Sequence, residues 1–323
     1  MKALRKSIFL LLIISFSASA EKLEKCPSTP YQLPEANGYH HMKYAPSHKG
    51  RLYNGKAFVA SIDTIDDDNG DGNIEYLAQP EWVSVHLKAY DTERPSGYAP
   101  GFKRPGNWYK LKIFDEERKY YKTKKSIDES YDGIGKVWNR GHLAQRADAN
   151  RISEEYGCNT HVFANAVPQA AKFNQGIWQG LENYVSSLSN EVGELWVVSG
   201  NIYIPGQKIE YIGKSDKHEV PVAIPDKMFK VIFVELKDGS GVQVYSLIYP
   251  NKFDELPELY KKGRCNEDKT YDHNPYLVSL AQVEAEAGIK FFPDVEMDLS
   301  TFKDAIAEYL PFLKDDNRVG YCQ

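Results

Sequence analysis

Apolar and polar residues alternate over residues 82–90, a pattern that is typical of a half-buried β-strand with His86 on its exposed face. Further apolar segments predict strands at 195–199, 229–236 and 242–249. The Asp-Gly-Ser-Gly sequence at 238–241 predicts a hairpin turn between the last two strands.

A helical spacing of apolar residues extends over 170–188 and predicts one amphipathic helix. Ser279, with Gln282 three residues later, predicts a capped helix that ends at Gly288. A last helix is predicted at 300–310, before a proline. These elements together predict an α+β fold, in which a central and mainly antiparallel β-sheet is flanked by helices.

The first twenty residues have the features of a signal peptide. Lys2, Arg5 and Lys6 precede a short apolar segment, and the small residues at 18–20 form a cleavage site. The apolar segment is too short to cross a membrane as a helix. We therefore expect an exported protein, secreted or periplasmic, without membrane attachment after cleavage.

Four cysteines follow the predicted cleavage site: Cys26, Cys158, Cys265 and Cys322. An even number in an exported chain favours disulfides over a zinc site, and no two of these cysteines are close in sequence. Four cysteines allow three pairings. Cys265–Cys322 is preferred because it would fix the C-terminal tail, and Cys26–Cys158 then follows by elimination.

An acidic loop at 67–78 matches the first half of an EF-hand Ca²⁺ loop. Asp67, Asn69 and Asp71 occupy its first, third and fifth positions. Position twelve is Ala78, where a bidentate acid is needed, so another acidic residue would have to replace it. The candidates are Asp63, Asp66 and Glu81. The loop is therefore either a structural Ca²⁺ site or an acidic, solvated turn.

Residues 138–182 combine several groups with the chemistry of a phosphate-processing site. His142 has an unperturbed pKa near neutrality and could act as a general base, although a single His in a basic loop is more often a plain surface residue. Asn174 and Glu182 are eight residues apart on the predicted helix, which places them about 80° apart on the same side. An Asn oxygen can hold Mg²⁺ when waters and a substrate phosphate supply the remaining ligands.

The order of the motifs in this region is specific. Arg-Gly-His at 140–142 is followed by Asn-x-x-Pro-Gln at 165–169 and by Phe-Asn-Gln-Gly-x-Trp-x-x-Leu-Glu at 173–182. This order resembles the DNA/RNA non-specific endonucleases, which are ββα-metal (His-Me finger) nucleases and include mitochondrial endonuclease G. The resemblance extends from about residue 77 to the C-terminus, which implies a nuclease domain at 77–323 after an N-terminal extension at 21–76.

The resemblance implies a role for each matching residue. His142 would be the general base, and Asn174 the direct Mg²⁺ ligand, with Mn²⁺ as a substitute metal. Glu182 would bind metal-coordinated waters, Asn165 would shape the site, and Arg140 would occupy the position before Gly-His. Two short strands around His142 and the helix of Asn174 would form the ββα-metal site.

Two further positions affect the net charge of this site. The family uses an upstream Arg to stabilise the phosphate, and Arg104 is the candidate here, followed by Arg118. The family usually has Asp before Arg-Gly-His, where this chain has Asn139. Asn keeps the shape of Asp and loses its negative charge, which bears on metal affinity and pH optimum more than on the reaction.

The net charge of the chain is −5, and it becomes −8 without the three basic residues of the signal peptide. A protein that only holds nucleic acid would usually be basic. A nuclease needs only a local basic groove, for which the candidates are Lys103, Lys122, Lys124 and Arg146. Aromatic residues such as Trp108 and Tyr109 lie among the lysines and could stack on bases. The other interpretation is a solvated, charged hairpin whose aromatic residues face the core.

The sequence thus predicts an exported, Mg²⁺-dependent endonuclease that cleaves DNA and RNA with little sequence specificity and leaves 5′-phosphate and 3′-hydroxyl ends. One alternative is a nucleic-acid-binding protein of the same fold without catalytic activity. Another is a Ca²⁺-dependent surface or adhesion module built on the loop at 67–78. The sequence does not determine the oligomeric state.

Overall fold

The computed structural model of the chain describes residues 25–32, 38–64, 66–67, 70, 72–73, 77–89, 103–106, 108–109, 127–213, 219–252, 273–292, 302–304 and 310. The predicted signal peptide, and with it the first twenty residues, lies outside these ranges. Within them, no helix combines the length and the apolar composition that a membrane span requires.

The strands are β1 Leu52–Asn54, β2 Val59–Ile62, β3 Pro80–Lys88, β4 Trp138–His142, β5 Ala166–Ala170, β6 Glu194–Ile202, β7 Glu210–Ile212, β8 Val222–Ile224, β9 Lys227–Glu235, β10 Val242–Pro250, β11 Leu277–Val278 and β12 Phe302–Asp304. Eight of them form the central sheet in the order β1-β2-β3-β6-β9-β10-β11, with β12 paired to β10. Every neighbouring pair along that order is antiparallel. The other strands form two small sheets, β4-β5 and β7-β8.

The helices are α1 Arg146–Asn150, α2 Glu154–Asn159, α3 Ala171–Phe173, α4 Gln179–Val192 and α5 Leu280–Ala287. A π-helical turn, Asn174–Trp178, joins α3 to α4. Short 3₁₀ helices occur at Gly38–Met42, Ile127–Tyr131, Phe163–Asn165 and Asn274–Tyr276. The predicted α+β class with a mainly antiparallel central sheet is confirmed.

The four predicted strands are confirmed as β3, β6, β9 and β10. The predicted turn at 238–241 joins β9 to β10 in a hairpin, where Leu236 donates its backbone N–H to the Gly241 carbonyl. The prediction of one exposed face for β3 is wrong. His86 stacks on Trp196 at 4.3 Å and Ser84 is fully buried, because residues 40–48 cover that face.

The helix predicted at 170–188 is present, but it is not continuous. Ala170 ends β5, and the helical run starts at Ala171 and extends to Val192. The π turn interrupts it at Gly176, whose φ and ψ of −115° and −112° are not helical. Because a uniform step of 100° per residue does not hold across such a turn, the predicted angle between Asn174 and Glu182 does not apply.

The helix predicted after Ser279 is confirmed as α5. The Ser279 side chain accepts a hydrogen bond from the Gln282 backbone N–H, and Gly288 adopts the left-handed conformation at the C-cap. The helix predicted at 300–310 is wrong at 302–304, which form β12. Strand β11 pairs with β10 only at 246–247, so the backbone groups at 242–244 need other partners, and β12 supplies them.

Two hydrophobic cores lie on opposite faces of the central sheet. Alternate residues of β9 face different cores: Ile232 belongs to the first core, and Val231 and Phe233 belong to the second. Helix α4 packs on β3 and β6 in the first core, together with the β4-β5 hairpin. Helix α5 packs on β6 and β10 in the second core.

The structure confirms one predicted disulfide. Cys26 and Cys158 are bonded, with their Cα atoms 5.6 Å apart, although 132 positions separate them in the sequence. Cys265 and Cys322 lie outside the described residues, so their pairing remains a prediction.

Candidate active site

The β4-β5 hairpin and the helix that follows it bring the motif residues together. His142 on β4 lies opposite Ala166 on β5, and Trp138 lies opposite Ala170. Helix α3 starts directly after β5, and the Ala171 N–H donates to the Val137 carbonyl at 2.8 Å. The strand with His142 is therefore fixed against the helix that carries Asn174, in the predicted ββα arrangement.

Gly141 packs closely against Gln169 across the hairpin. A Cβ atom at this position would lie 2.1 Å from the Gln169 side-chain oxygen, so any other residue would require the buried Gln169 side chain to move. Gly141 lies in an extended strand, and its lack of a side chain leaves room for Gln169.

Asn165 fixes the loop that follows His142. Its side-chain oxygen accepts from the Ala144 N–H at 2.7 Å, and its side-chain nitrogen donates to the carbonyls of Ala144 and Thr160 at 2.8 and 3.0 Å. The residue is fully buried and out of reach of water, so these hydrogen bonds satisfy polar groups that would otherwise have no partner. Asn165 therefore shapes the site from within the fold.

The His142 imidazole is enclosed by aromatic rings. The Trp108 ring lies 4.6 Å from it, and the His161 ring lies 4.8 Å away in a T-shaped arrangement. The His142 carbonyl accepts a hydrogen bond of 3.4 Å from the Trp178 indole. Nε2 of His142 is buried and has no hydrogen-bond partner among the residues that the structure describes.

This environment keeps His142 neutral. Burial lowers the pKa of His142 well below its usual value, and the neighbouring His161, Arg104 and Arg146 lower it further. A neutral imidazole with an unoccupied ring nitrogen can accept a proton at neutral pH. The arrangement thus has the chemistry of a general base.

Asn139 links the His142 strand to Asn174. Its side-chain oxygen accepts hydrogen bonds from Asn174 Nδ2 at 3.0 Å and from Gln175 Nε2 at 2.9 Å. Its side-chain nitrogen donates to the Gly135 carbonyl at 2.8 Å, which fixes the orientation of the amide. Because the Asn174 nitrogen donates to Asn139, the side-chain oxygen of Asn174 is the atom left to contact another group.

Glu182 borders a cavity of about 20 Å³, which has room for about one water. Lys230, Asp148 and Gln145 line the same cavity. Burial raises the pKa of Glu182 to about 7, while the positive charge of Lys230 opposes that rise and Asp148 adds to it. The Glu182 carboxyl can therefore change charge near neutral pH.

Lys230 extends from β9 beneath the helix that carries Asn174 and Glu182. It is 3% exposed, and its ammonium donates to Ser199 Oγ at 2.8 Å. The same ammonium lies 4.4 Å from the centre of the Trp178 ring, a cation–π distance. Burial lowers the pKa of Lys230 to about 8, and Glu182 and Asp148 counteract this.

The two motif arginines have different surroundings. Arg140 Nη2 donates to the Asp128 carbonyl at 3.0 Å and pairs with the Asp128 carboxylate at 3.0 Å. Its guanidinium thus supports the fold near the site. Arg146 is buried in α1, and its charge lowers the pKa of both His142 and His161.

Arg104 lies near the same groups although it is distant in sequence. It is exposed, and its charge lowers the pKa of His142, His161 and Glu182. Lys103 beside it is exposed as well, whereas Lys122 and Lys124 lie outside the described residues. Tyr109 is buried in the first core, which at this residue favours the interpretation that the aromatic residues face the core.

Comparison with known proteins identifies the family. The profile of the DNA/RNA non-specific endonucleases matches residues 68–298, more than two thirds of the chain. The chain belongs to the DNA/RNA non-specific endonuclease family. The resemblance that the motifs indicated is therefore confirmed.

Proteins similar to this member of the family include mitochondrial and bacterial nucleases. A mitochondrial nuclease EXOG of Xenopus laevis is 32% identical over 241 residues, covering 68% of this chain and 55% of the relative. A mitochondrial endonuclease G of Bos taurus is 28% identical over 187 residues, or 56% of each chain. A nuclease of Nostoc sp. is 25% identical over 230 residues, covering 68% of this chain and 69% of the relative. The chain spans about half the length of the mitochondrial relatives it matches.

A solved structure has the same fold as this chain. One chain of the EndoG/EndoGI complex aligns with a TM-score of 0.59 at 22% identity, covering 84% of this chain and 97% of that chain. This similarity supports the fold, an antiparallel sheet with the ββα site on one face.

Two residues of this candidate site were not predicted from the sequence. His161 follows Asn159 and Thr160 in a segment without a motif, and Lys230 lies within an apolar strand. A lysine inside a buried strand is the one available signal, because lysine is almost never fully buried without a partner. His161 offers no such signal, since its contact with His142 depends on tertiary structure.

The acidic loop at 67–78 is only partly described, because Asn69 and Asp71 lie outside the described ranges. Asp67 accepts a hydrogen bond from the Gly72 N–H at 3.0 Å, a contact typical of a turn. The candidate replacement ligands have other partners: Asp66 pairs with Lys49, Glu81 accepts from the Ser61 hydroxyl, and Asp63 accepts from the Leu77 N–H. Among the described residues, no group of three or more His, Cys, Asp or Glu side chains is arranged to hold a metal ion.

Proposed function

We propose that this chain is an exported endonuclease that hydrolyses phosphodiester bonds of DNA and RNA with little sequence specificity. The observation that carries the proposal is the neutral His142, whose Nε2 has no partner among the described residues, on the strand whose Asn139 orients Asn174 in the ββα unit. Membership of a family of nucleases supports the same reaction class.

His142 acts as the general base. Its Nε2 takes a proton from a water, and the oxygen of that water attacks the phosphorus in line with the leaving 3′ oxygen. The products then carry 5′-phosphate and 3′-hydroxyl ends. The packing of Trp108 and His161 around the imidazole keeps bulk water away and holds the ring in one orientation.

The donors beside His142 fit a hard divalent cation. The Asn174 amide oxygen would bind Mg²⁺ directly, and the Glu182 carboxylate would bind its waters, because Mg²⁺ prefers oxygen ligands and keeps several waters. Mn²⁺ is the expected substitute. When bound, the metal would stabilise negative charge on the phosphate and on the leaving oxygen.

Cationic residues bind the phosphate backbone. Arg104 is exposed and its charge reaches the His142 environment, so it is the candidate for stabilising the phosphate, with Lys103 and Arg146 nearby. Contacts with phosphates carry little sequence information, which is the reason to expect cleavage of both DNA and RNA. Residues 1–20 pass from basic to apolar to small residues, which is the order of a signal peptide and supports export to a periplasm or to the medium.

The test is digestion of plasmid DNA and ribosomal RNA by the purified mature protein, with Mg²⁺ and with EDTA. His142→Ala should abolish cleavage while the circular dichroism spectrum stays unchanged. His86→Ala is the matched control, since that His stacks on Trp196 on the sheet face opposite to α4. It should cleave like the wild type.

Each other outcome changes a defined part of the proposal. Wild-type turnover by His142→Ala would refute the base assignment, and cleavage of DNA alone would refute the broad substrate range. No cleavage with any divalent metal would favour a nucleic-acid-binding protein of the same fold. Tight Ca²⁺ binding in calorimetry, combined with a lack of nuclease activity, would favour the Ca²⁺-dependent module.

A further inference from the structure

We propose that the Cys26–Cys158 disulfide is a positioning element of the active site, which holds Arg104 beside His142 by fixing one end of the segment that carries it. The inference rests on the proposed nuclease function. One of the two cysteines, Cys26, precedes the part of the chain that matches the family, and Cys158 lies within it.

Arg104 and Trp108 lie on one short stretch, residues 103–109, whose two ends are anchored. At the first end, the Cys26 N–H donates to the Lys103 carbonyl at 3.2 Å, and Lys25 and Lys103 form a parallel bridge. At the second end, the Tyr109 N–H donates to the His161 carbonyl at 2.7 Å. Between these anchors, Trp108 packs against His142.

Both anchors lead to the same part of the fold, residues 158–162. The second anchor is a direct backbone contact with His161. The first anchor reaches this part covalently through the disulfide, because Lys103 is held by Cys26 and Cys26 is bonded to Cys158. The disulfide therefore completes a closed set of connections, here called the frame, which joins both ends of the segment with Arg104 and Trp108 to residues 158–162.

The base of this frame is rigid. Cys158 is fully buried in α2, and the Ser153 side chain caps that helix by accepting from the Tyr156 N–H. The Asn159 side chain also holds the N-terminal segment, since its oxygen accepts from the Tyr31 N–H at 2.9 Å and its nitrogen donates to the Tyr31 carbonyl. The segment that fixes Lys103 is thus attached to α2 by one covalent bond and two hydrogen bonds.

Arg104 depends on this anchor more than the other residues of the segment do. It is exposed and lies next to the first anchor, five positions from the second. Its positive charge acts on His142, and this effect requires a fixed position near the ring. Without the disulfide, the covalent link between this end of the segment and α2 is lost, and the weaker Tyr31–Asn159 hydrogen bonds remain.

The test is a double-mutant cycle that combines Cys26→Ala/Cys158→Ala with Arg104→Ala. We expect the disulfide variant to lower kcat by about ten- to a hundredfold with a small change in KM, the effect of a misplaced charge-stabilising group. Arg104→Ala should lower kcat as well. In the Arg104→Ala background, loss of the disulfide should cost no further activity, because both changes act through the same side chain.

Two control variants separate positioning from loss of stability. Ser279→Ala removes the cap of α5 on the opposite face of the sheet and should lower the melting temperature without changing kcat. Asn159→Ala removes the hydrogen bonds to Tyr31 and keeps the disulfide, so kcat should stay near the wild-type value. All assays are run well below the lowest melting temperature.

A second measurement does not depend on catalysis. In hydrogen–deuterium exchange, the peptide that covers 103–109 should exchange faster in the disulfide variant than in the wild type, while β9 should be unchanged. If the double variant does not fold, wild-type protein is compared before and after reduction and alkylation under native conditions.

The outcomes distinguish this inference from the proposed function. A wild type that cleaves nothing would refute the proposed function, and the exchange experiment would still test the frame. Equal exchange at 103–109, or additive losses in the cycle, would overturn the inference in a protein that remains an active nuclease.

Discussion

Asn139 is the residue at which this chain departs from the usual pattern of its family, and the structure shows what the departure retains. Its side-chain oxygen accepts from both Asn174 and Gln175, as an Asp oxygen would. Its side-chain nitrogen gains a bond to the Gly135 carbonyl, which an Asp could not make. The orientation of Asn174 is kept, and the negative charge that an Asp would carry is absent.

Asn139→Asp should therefore lower the Mg²⁺ concentration that gives half-maximal activity. The carboxylate would attract the cation and strengthen the hydrogen bond from Asn174. Asn139→Ala should raise that concentration, because nothing would orient the Asn174 amide. Activity measured against Mg²⁺ concentration checks both, and identical curves for the three proteins would show that position 139 does not act on the metal.

The electrostatic interaction between Glu182 and Lys230 is a second feature at the scale of single residues. Burial raises the pKa of Glu182 to about 7, and Lys230 opposes the rise. The proposed role of Glu182 requires its ionised form, which is populated above this pKa. Since the pKa of His142 lies well below its usual value, His142 stays neutral and does not limit activity in this range.

Lys230→Met should shift the acid limb of the kcat/KM pH profile to higher pH. Removing the ammonium raises the pKa of Glu182 further, so the carboxylate is protonated over a wider range and activity at pH 7 falls. Ser199→Ala removes the hydrogen bond to Lys230 and keeps its charge, so its acid limb should not move. An equal loss at every pH in Lys230→Met would indicate a structural role alone.

At the scale of elements, the site depends on the loop between β4 and α1. No regular hydrogen-bond ladder holds this loop, and Asn165 supplies the missing partners from the opposite side of the hairpin. The π turn before α4 is the other irregular element, and it carries Asn174. Both motif Asn residues thus lie where the backbone departs from regular structure.

Asn165→Ala should lower the free energy of unfolding by about 1–3 kcal/mol, because buried backbone groups of Ala144 and Thr160 lose their partners. The kcat should fall as well, since the loop that follows His142 is no longer fixed. Urea unfolding with an unchanged m-value checks the first effect. A fully stable and active variant would mean that water replaces the amide.

At the scale of the whole molecule, a net charge of −5 must be reconciled with the proposed anionic substrate. Arg104 is exposed and its charge acts on His142, and the exposed Lys103 is its neighbour in the sequence, so positive charge is concentrated in this segment. Local charge of this kind favours binding of phosphate groups while the rest of the surface limits non-productive binding. Substrate affinity should then depend strongly on salt.

KM for DNA should rise with NaCl concentration, and Lys103→Ala should reduce the slope of log KM against log salt by about 1, the contribution of one phosphate contact. Lys290→Ala is the control, because Lys290 pairs with Glu284 on the opposite face of the sheet. A slope that is the same in all three proteins would place the phosphate groove elsewhere.

Several features of the fold follow from the sequence alone. The alternation at 82–90, the glycine-rich turn at 238–241 and the Ser279 cap are local patterns, and each corresponds to β3, the β9-β10 hairpin or α5. The prediction at 300–310 is wrong at 302–304 because pairing with β10 outweighed local helix preference.

The sequence by itself determined the family and the order of its motifs. It also determined most of the strands and helices that carry them, because periodicity and turn residues depend only on neighbours along the chain. Only the tertiary structure decided that His161 and Trp108 enclose His142, that Lys230 lies beside Glu182, and that Cys26 fixes the Arg104 segment. These contacts join residues far apart in the sequence, and burial and charge at such contacts arise only when the chain has closed around them.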